Sequence, residues 1–358
     1  MAERAHLVVV LSWHGRRDTL ACVASLVDGA PGTDVLVVDN GSEDGVLEAV
    51  RDRWPHVVTL QTGDNLGFAG GMNRGLAWGL ERGYALLTVL NNDTVVAPGA
   101  LDLLAASAAG RVAVSPRIVR LAPGADGGPD GAAGDAGDAA LWFAGGSLDA
   151  LDGLPRHRTA AEAAADVAAG RPFTTDLLTG CCVCASAGTW REVGPFDPRF
   201  FLNFEDSDWS LRARRAGVRL VVVPRAVVRH RVSASFVGPA SYLGTFYYAR
   251  NALLFARRWR GAGVSRRGLL RHRVLPRPVR AWRDLGPREG VRTAVVVAAA
   301  LVAHVARASG RAPRALEALA AAWAARGRAP APAGDRVESA ADRGEKAPVP
   351  LGPHPPRG

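Results

Sequence analysis

Over the first 120 residues, short apolar runs alternate with stretches of helical periodicity, the pattern of βαβ units in a parallel sheet. Residues 6–12 (HLVVVLS) read as a buried strand, 18–27 as a helix and 34–39 (DVLVVD) as a second strand. Asn40, Gly41 and Ser42 break that strand, and a helix resumes over 43–53. A third strand is expected at 57–61, a glycine-rich helix at 69–82 and a fourth strand at 84–90 that ends in NNDT. Each strand therefore ends in polar residues, and in an open α/β sheet the carboxyl ends of the strands form the ligand crevice.

Residues 122–140 are nearly all Gly, Ala, Asp and Pro, too poor in apolar side chains to order themselves, and read as an inserted mobile loop. Order resumes at LWFAGGSLD, and a second loop is expected over 156–170. A compact block follows at 173–231, with the strand TGCCVCAS, a short helix at 188–193, the turn GPFDPRF and a helix starting at Glu205. The expected organisation is an α/β fold in two halves, 1–120 and 121–240. A basic helical extension follows over 241–327, then a disordered Pro- and Ala-rich tail over 328–358.

Composition narrows the class. The chain has 358 residues, 48% hydrophobic and 22% charged, which excludes a wholly disordered or fibrous chain. It has no apolar run long enough to span a bilayer and no secretory signal, so a cytoplasmic location is expected. The net charge of +10 is not spread evenly: 251–328 carries seventeen arginines against Asp284, Glu289 and Glu317, so the remainder is slightly acidic. That distribution, without any recognised binding module, argues against a nucleic-acid partner. Cys22, Cys181, Cys182 and Cys184 lack CxxC spacing and read as reduced, small apolar residues.

Chemistry concentrates at a few positions. In FLNFEDSDWSLRARRAG, Glu205, Asp206 and Asp208 open a helix whose later turns carry Arg212, Arg214 and Arg215, which suits the helix dipole as well as a catalytic carboxylate. Asp93, at a strand end, can hold a divalent cation or cap the next helix. His230 can complete a cation site or serve the fold. Asp39 sits where a nucleotide base or ribose would lie, or caps the helix after it. Trp142, Phe143 and Trp209 offer faces for sugar stacking or for core packing.

Together VVDNGS (37–42), DNLGFAGGMNRG (64–75), LNNDT (90–94), GPFDPRFFLNFEDSDWSLRARRAG (194–217) and VVRH (227–230) resemble, in order and spacing, the family 2 glycosyltransferases, above all their bacterial rhamnosyltransferase-like branch. The resemblance covers residues 6–260. It implies the GT-A fold of nucleotide-diphosphosugar transferases, a mostly parallel sheet flanked by helices and joined to an acceptor-binding half. It further implies donor contacts from Asp39, Asp64, Asn65, Gly67, Gly70, Gly71, Asn73 and Asn92, with Asn73 contacting the donor or ordering its loop. Asp93, the last residue of a DxD-like triplet whose first acid is here Asn91, would hold Mg²⁺ or Mn²⁺ together with His230. Asp206 would be the general base of an inverting displacement, supported by Glu205, Asp208, Trp142 and Trp209.

The donor expected first is dTDP-L-rhamnose, with UDP-galactofuranose or another UDP-hexose second. The acceptor would be a hydroxyl on a glycan, a polyprenyl-linked glycan or a metabolite. Arginine-flanked apolar helices in 251–328 would lie on the inner face of the membrane. A nucleotidyltransferase would show a Gly-rich, basic N-terminal signature, which LVVVLSWHGRRD lacks; retention of Asp93, Asp206 and His230 argues against an inactive scaffold.

Overall fold

The computed structural model describes residues 4–121, 140–231 and 239–327. The loop expected over 122–140 lies, but for its last residue, outside the described residues, as does the tail from 328 onward.

The amino-terminal half is β1 (Arg4–Ser12), α1 (Arg16–Gly29), β2 (Asp34–Asp39), α2 (Val46–Arg53), β3 (Val58–Gln61), α3 (Gly67–Glu81), β4 (Tyr84–Asn91), β5 (Thr94–Val96), α4 (Ala100–Ser107) and β6 (Val112–Arg120). Then come β7 (Leu141–Phe143), β8 (Gly146–Leu148), β9 (Pro155–His157), α5 (Ala160–Ala169), β10 (Phe173–Thr174), β11 (Cys182–Ser186), α6 (Ala187–Val193), α7 (Glu205–Arg215) and β12 (Arg219–His230). The extension is helical: α8 (Pro239–Arg258), α9 (Arg266–Leu269), α10 (Pro276–Leu285), α11 (Pro287–Val305) and α12 (Arg314–Gly327).

One sheet runs β10-β12-β6-β11-β4-β1-β2-β3, with β5 on β12 and β7 on β6. Strands β4, β1, β2 and β3 are mutually parallel, as are β12 and β6, and β11 is antiparallel between β4 and β6. Along β1, Val8 and Val10 pack with α1, α2 and α4, whereas Leu7, Val9 and Leu11 pack with α3, α6 and α7. Burial on both faces explains why this strand reads as a continuous apolar run rather than an alternating one. This is the mostly parallel α/β architecture that the resemblance implies. All four cysteines are buried and free; burial pushes Cys22 and Cys184 up to about 12, so they fill space as thiols.

One expectation is corrected. The stretch 156–170 is not a loop: its first residues belong to β9, and α5 starts at a capping box in which Thr159 accepts from the Glu162 amide while Glu162 accepts from the Thr159 amide. The Ala-rich run is a helix whose start signal is Thr159 with Glu162 three positions on.

A third core joins the extension to the second half of the α/β fold: Phe200, Phe201 and Phe204 pack with Phe246, Tyr247 and Phe255 of α8 and with α11 and α12.

Candidate active site

The polar strand ends converge at the carboxyl edge of the parallel strands. Asp39 is 2% exposed; its Oδ1 accepts from the Ser42 amide (3.1 Å) and hydroxyl (2.5 Å), and its Oδ2 accepts from Gln61 Nε2 (2.6 Å). Its carboxylate thus shapes the turn that closes β2 against β3. Asn40, which the sequence offers only as a strand breaker, stitches this turn to the next one. Its amide nitrogen donates to Gly67 O (3.0 Å) and Asn65 Oδ1 (3.2 Å), and its oxygen accepts from Leu66 N (3.0 Å). Asp64 is exposed on the rim and lies 2.9 Å from Arg311, a residue of the extension.

The glycines make close approaches to the protein's own chain. Gly67 has φ +74°, and a Cβ there would meet Phe201 O at 2.4 Å. A Cβ at Gly70 would meet Leu66 Cβ at 2.7 Å, and one at Gly71 would meet Leu11 Cδ1 at 2.5 Å. With Gly75 against Val9 and Gly79 against Leu7, α3 presents a glycine face to the sheet. Asn73 exchanges two hydrogen bonds with the backbone of Phe196 (2.8 and 3.0 Å), so it orders the GPFDPRF turn rather than a donor loop. Asn92 Nδ2 donates to Thr19 Oγ1 (2.9 Å) and steadies the start of α1.

Asp93 and His230 come together because β5 pairs with the end of β12, placing His230 opposite Thr94. His230 Nε2 lies 3.1 Å from Asp93 Oδ1, with the two side chains 8% and 14% exposed. His230 Nδ1 has no hydrogen-bond partner among the described residues. Trp142 of β7 meets the His230 ring edge-on at 4.5 Å and the His157 ring at 4.7 Å. One carboxylate and one imidazole side by side fit a divalent cation that takes its remaining ligands from diphosphate and water. Among the described residues no group of three or more His, Cys, Asp or Glu could hold a metal by itself.

Asp206 opens α7. Its Oδ2 accepts from Gly180 N (2.9 Å), and its Oδ1 from Ser207 N (2.6 Å) and Ser207 Oγ (3.1 Å). It lines a cavity of about 280 Å³ with Phe143, His157, Leu178, Phe204 and Tyr248. The loop before it is strained: Phe201, Asn203 and Phe204 have φ of 62°, 69° and 76°. Asn251 of α8 holds that loop by donating to the carbonyls of Leu202 (2.7 Å), Phe200 and Asn203.

Its neighbours differ from it. Glu205 is 5% exposed, its Oε2 has no hydrogen-bond partner among the described residues, and burial first, then the Asp206 charge, holds its pKa well above the carboxylate range. Asp208 and Trp209, expected to support the reaction, are fully buried in the fold. Asp208 lies between Arg212 Nε (3.0 Å), Arg258 Nε (2.9 Å) and Trp259 Nε1 (3.0 Å). Trp209 packs on Trp190 at 4.6 Å and donates to Gly194 O. Their place on the inner side of α7 removes both from any sugar. Arg212, Arg214 and Arg215 are also committed, to Asp208, to Asp176 and to the Trp259 face.

Sequence reasoning missed His157 and Asn251. His157 Nδ1 lies 3.0 Å from Trp142 O, and neighbouring groups displace water from the ring and lower its pKa. It fell within a stretch read as loop, and the one usable signal was the capping box just after it.

A family model described as glycosyltransferase like family 2 matches residues 4–242. A relative in Mycobacterium tuberculosis, an N-acetylglucosaminyl-diphospho-decaprenol L-rhamnosyltransferase, is 32% identical over 228 residues, 60% of this chain and 71% of its own. Among solved structures, GalNAc-T7 with UDP, GalNAc and Mn²⁺ aligns with a TM-score of 0.49 at 15% identity, over 79% of this chain and 59% of that one. The mannosyltransferase PcManGT of Pyrobaculum calidifontis aligns with a TM-score of 0.47 at 16% identity, over 89% and 79%.

Proposed function

The chain belongs to the family 2 glycosyltransferases, and from that premise we propose that it is an inverting, metal-dependent enzyme transferring a sugar from a nucleotide diphosphate donor to an acceptor hydroxyl. The observation that carries the reading is Asp206, fixed through both carboxylate oxygens at the wall of a cavity that also holds His157.

Asp206 takes the proton of the acceptor hydroxyl as its oxygen bonds to the anomeric carbon and the bond from that carbon to the diphosphate oxygen breaks. A base so placed contributes roughly 10²–10⁴-fold. The amides of Gly180 and Ser207 hold the carboxylate in a fixed orientation for this task. Asp93 and His230 would hold Mg²⁺ or Mn²⁺, which when bound supplies charge neutralisation on the leaving diphosphate. The nucleotide would lie over the turns of Asp39 and Asn65, with Asp64 before α3 and Gly67, Gly70 and Gly71 in its first turns, while Asn73 fixes the GPFDPRF turn and Asn92 the start of α1.

L-rhamnose from a dTDP donor is the transfer proposed, supported by the rhamnosyltransferase relative. That relative's name points to a glycan on a polyprenyl diphosphate, so the proposed acceptor is of that class, in cell wall polysaccharide synthesis at the inner face of the membrane. A thermal-shift screen against dTDP, UDP, GDP and CDP, each with and without Mn²⁺, tests the donor side. Stabilisation by dTDP that needs Mn²⁺ is expected; a shift with UDP alone would move the donor to a UDP-hexose, and no shift with any nucleotide would overturn the reading.

A further inference from the structure

Helices α10 and α11 form a hairpin in which a Cβ on Gly290 would meet Trp282 Cβ at 2.6 Å, so the two helices touch backbone to side chain. From Ala294 to Ala303 helix α11 is apolar all round. Its inner face buries Val296, Val297, Ala300 and Ala303. Its outer face presents Val291, Ala294, Val295, Ala298, Val302 and Val305, all solvent-exposed. That spacing is a single stripe about 21 Å long at 1.5 Å per residue. Helix α10 buries no side chain, and Leu275, Val279, Trp282 and Leu285 beside it are each more than half exposed. Eight of the twelve large hydrophobic residues exposed among the described residues thus fall between Leu275 and Val305. Such a concentration marks an interaction surface.

Charge selects the partner. Exposed Arg271, Arg280, Arg283, Arg288 and Arg307 accompany these exposed hydrophobic residues in the same stretch of chain, within a segment of seventeen arginines and three acids. Two copies meeting through this face would oppose like charges, whereas an anionic bilayer complements them. No helix among the described residues is long and apolar enough to cross a membrane, so the hairpin would lie along the interface.

The hairpin is also fastened to the rim of the Asp206 cavity. Arg277 of α10 stacks at 4.1 Å on Tyr248, a cavity-lining residue. Arg273, just before α10, reaches Asp152 (2.7 Å) and Asp149 (3.1 Å) in the turn between β8 and β9, whose residues line the same cavity.

We infer that the outer face of the α10–α11 hairpin docks on an anionic lipid surface, its valines and Trp282 entering the headgroup layer, and so sets the Asp206 cavity beside the membrane for an amphiphilic acceptor. The acceptor part of this inference rests on the transferase reading; the lipid part does not.

The test is co-flotation of the full chain with vesicles of phosphatidylcholine alone or mixed equally with phosphatidylglycerol, alongside light scattering for mass. Binding to the mixed vesicles alone, weakened by added NaCl, is expected. The double variant Val295→Glu/Val302→Glu should bind on the order of tenfold more weakly, and Arg280→Gln/Arg288→Gln should lose the preference for the anionic mixture. Both variants carry changes at exposed positions, and an unchanged melting temperature checks their folding. Absence of wild-type binding to either vesicle overturns the inference, as does a dimer that the valine variant splits. If vesicles bind but Mn²⁺ with dTDP or UDP never shifts the melting temperature, the transferase reading fails while the surface stands.

Discussion

Thr94 and His230 are register partners in the β5–β12 ladder, and this pairing brings the His230 imidazole to 3.1 Å from Asp93. Two motifs far apart in the chain are thereby brought together as the proposed cation site, Asp93 in the turn before β5 and His230 at the end of β12. Asp93→Ala and His230→Ala should each weaken Mn²⁺-dependent nucleotide binding by at least the roughly 10- to 100-fold that loss of an outer-shell partner costs elsewhere. Nucleotide binding measured without metal should change little. Calorimetry with and without Mn²⁺ separates the two, and equal losses in both conditions would remove the pair from the metal site.

Asp206 and Asp208 make a sharper contrast, because the same short helix gives them opposite fates. Asp206→Asn should lower transfer by about 10²–10⁴-fold while leaving nucleotide binding and melting temperature near wild type. Asp208→Asn should instead destabilise the fold by about 3–5 kcal/mol, since it removes the buried carboxylate charge that Arg212 and Arg258 both meet. Denaturant unfolding of both variants, with product formation for the first, checks the division. Transfer within a few-fold of wild type for Asp206→Asn would remove it as the base.

The contrast also shows what the residues disclosed by themselves. The strands 34–39 and 84–90 could be placed from apolar runs ended by polar residues, because burial on both faces leaves an unbroken pattern. The order of motifs identified Asp93, Asp206 and His230 as a set. Which acid of Glu205, Asp206 and Asp208 faces the cavity was accessible only through that resemblance, because helix periodicity assigns residues to faces without saying what each face meets. The glycines of 67–79 show the same limit. Glycine marks a close approach without naming the partner, and here the partners are Phe201, Leu66, Leu11, Val9 and Leu7. His157 depends on a hairpin built from β8 and β9, each of three residues, too short for periodicity to register.

Glu205 carries a pH signature. Its pKa in the fold is raised well above the ordinary carboxylate range by burial and by the Asp206 charge. The folded state therefore holds a proton that the unfolded chain releases, and stability is greatest below the unfolded pKa and declines as pH rises toward the folded one. Glu205→Gln removes the ionisable group while keeping its shape. The variant should match wild type near pH 4.5 and become progressively more stable than it toward neutrality. Melting temperatures across that range check the sign; a gap that closes as pH rises would contradict it.

Asn251 makes the last case, because it ties the extension to the loop before Asp206. Three positive-φ positions within four residues, Phe201, Asn203 and Phe204, are costly for residues with a Cβ and persist only where neighbours hold them. The Asn251 amide donates to three carbonyls of that loop from within α8, where the side chain is fully buried. Asn251→Ala should cost about 1–3 kcal/mol, the penalty for buried carbonyls left without a donor. Because Asp206 follows the loop directly, transfer should fall further than this loss of stability explains, while nucleotide binding with Mn²⁺ holds. Asn251→Asp, equal in size but with no amide hydrogens to donate, should fail in the same way. An Asp variant that keeps wild-type transfer would show that shape, and not donation, positions the loop.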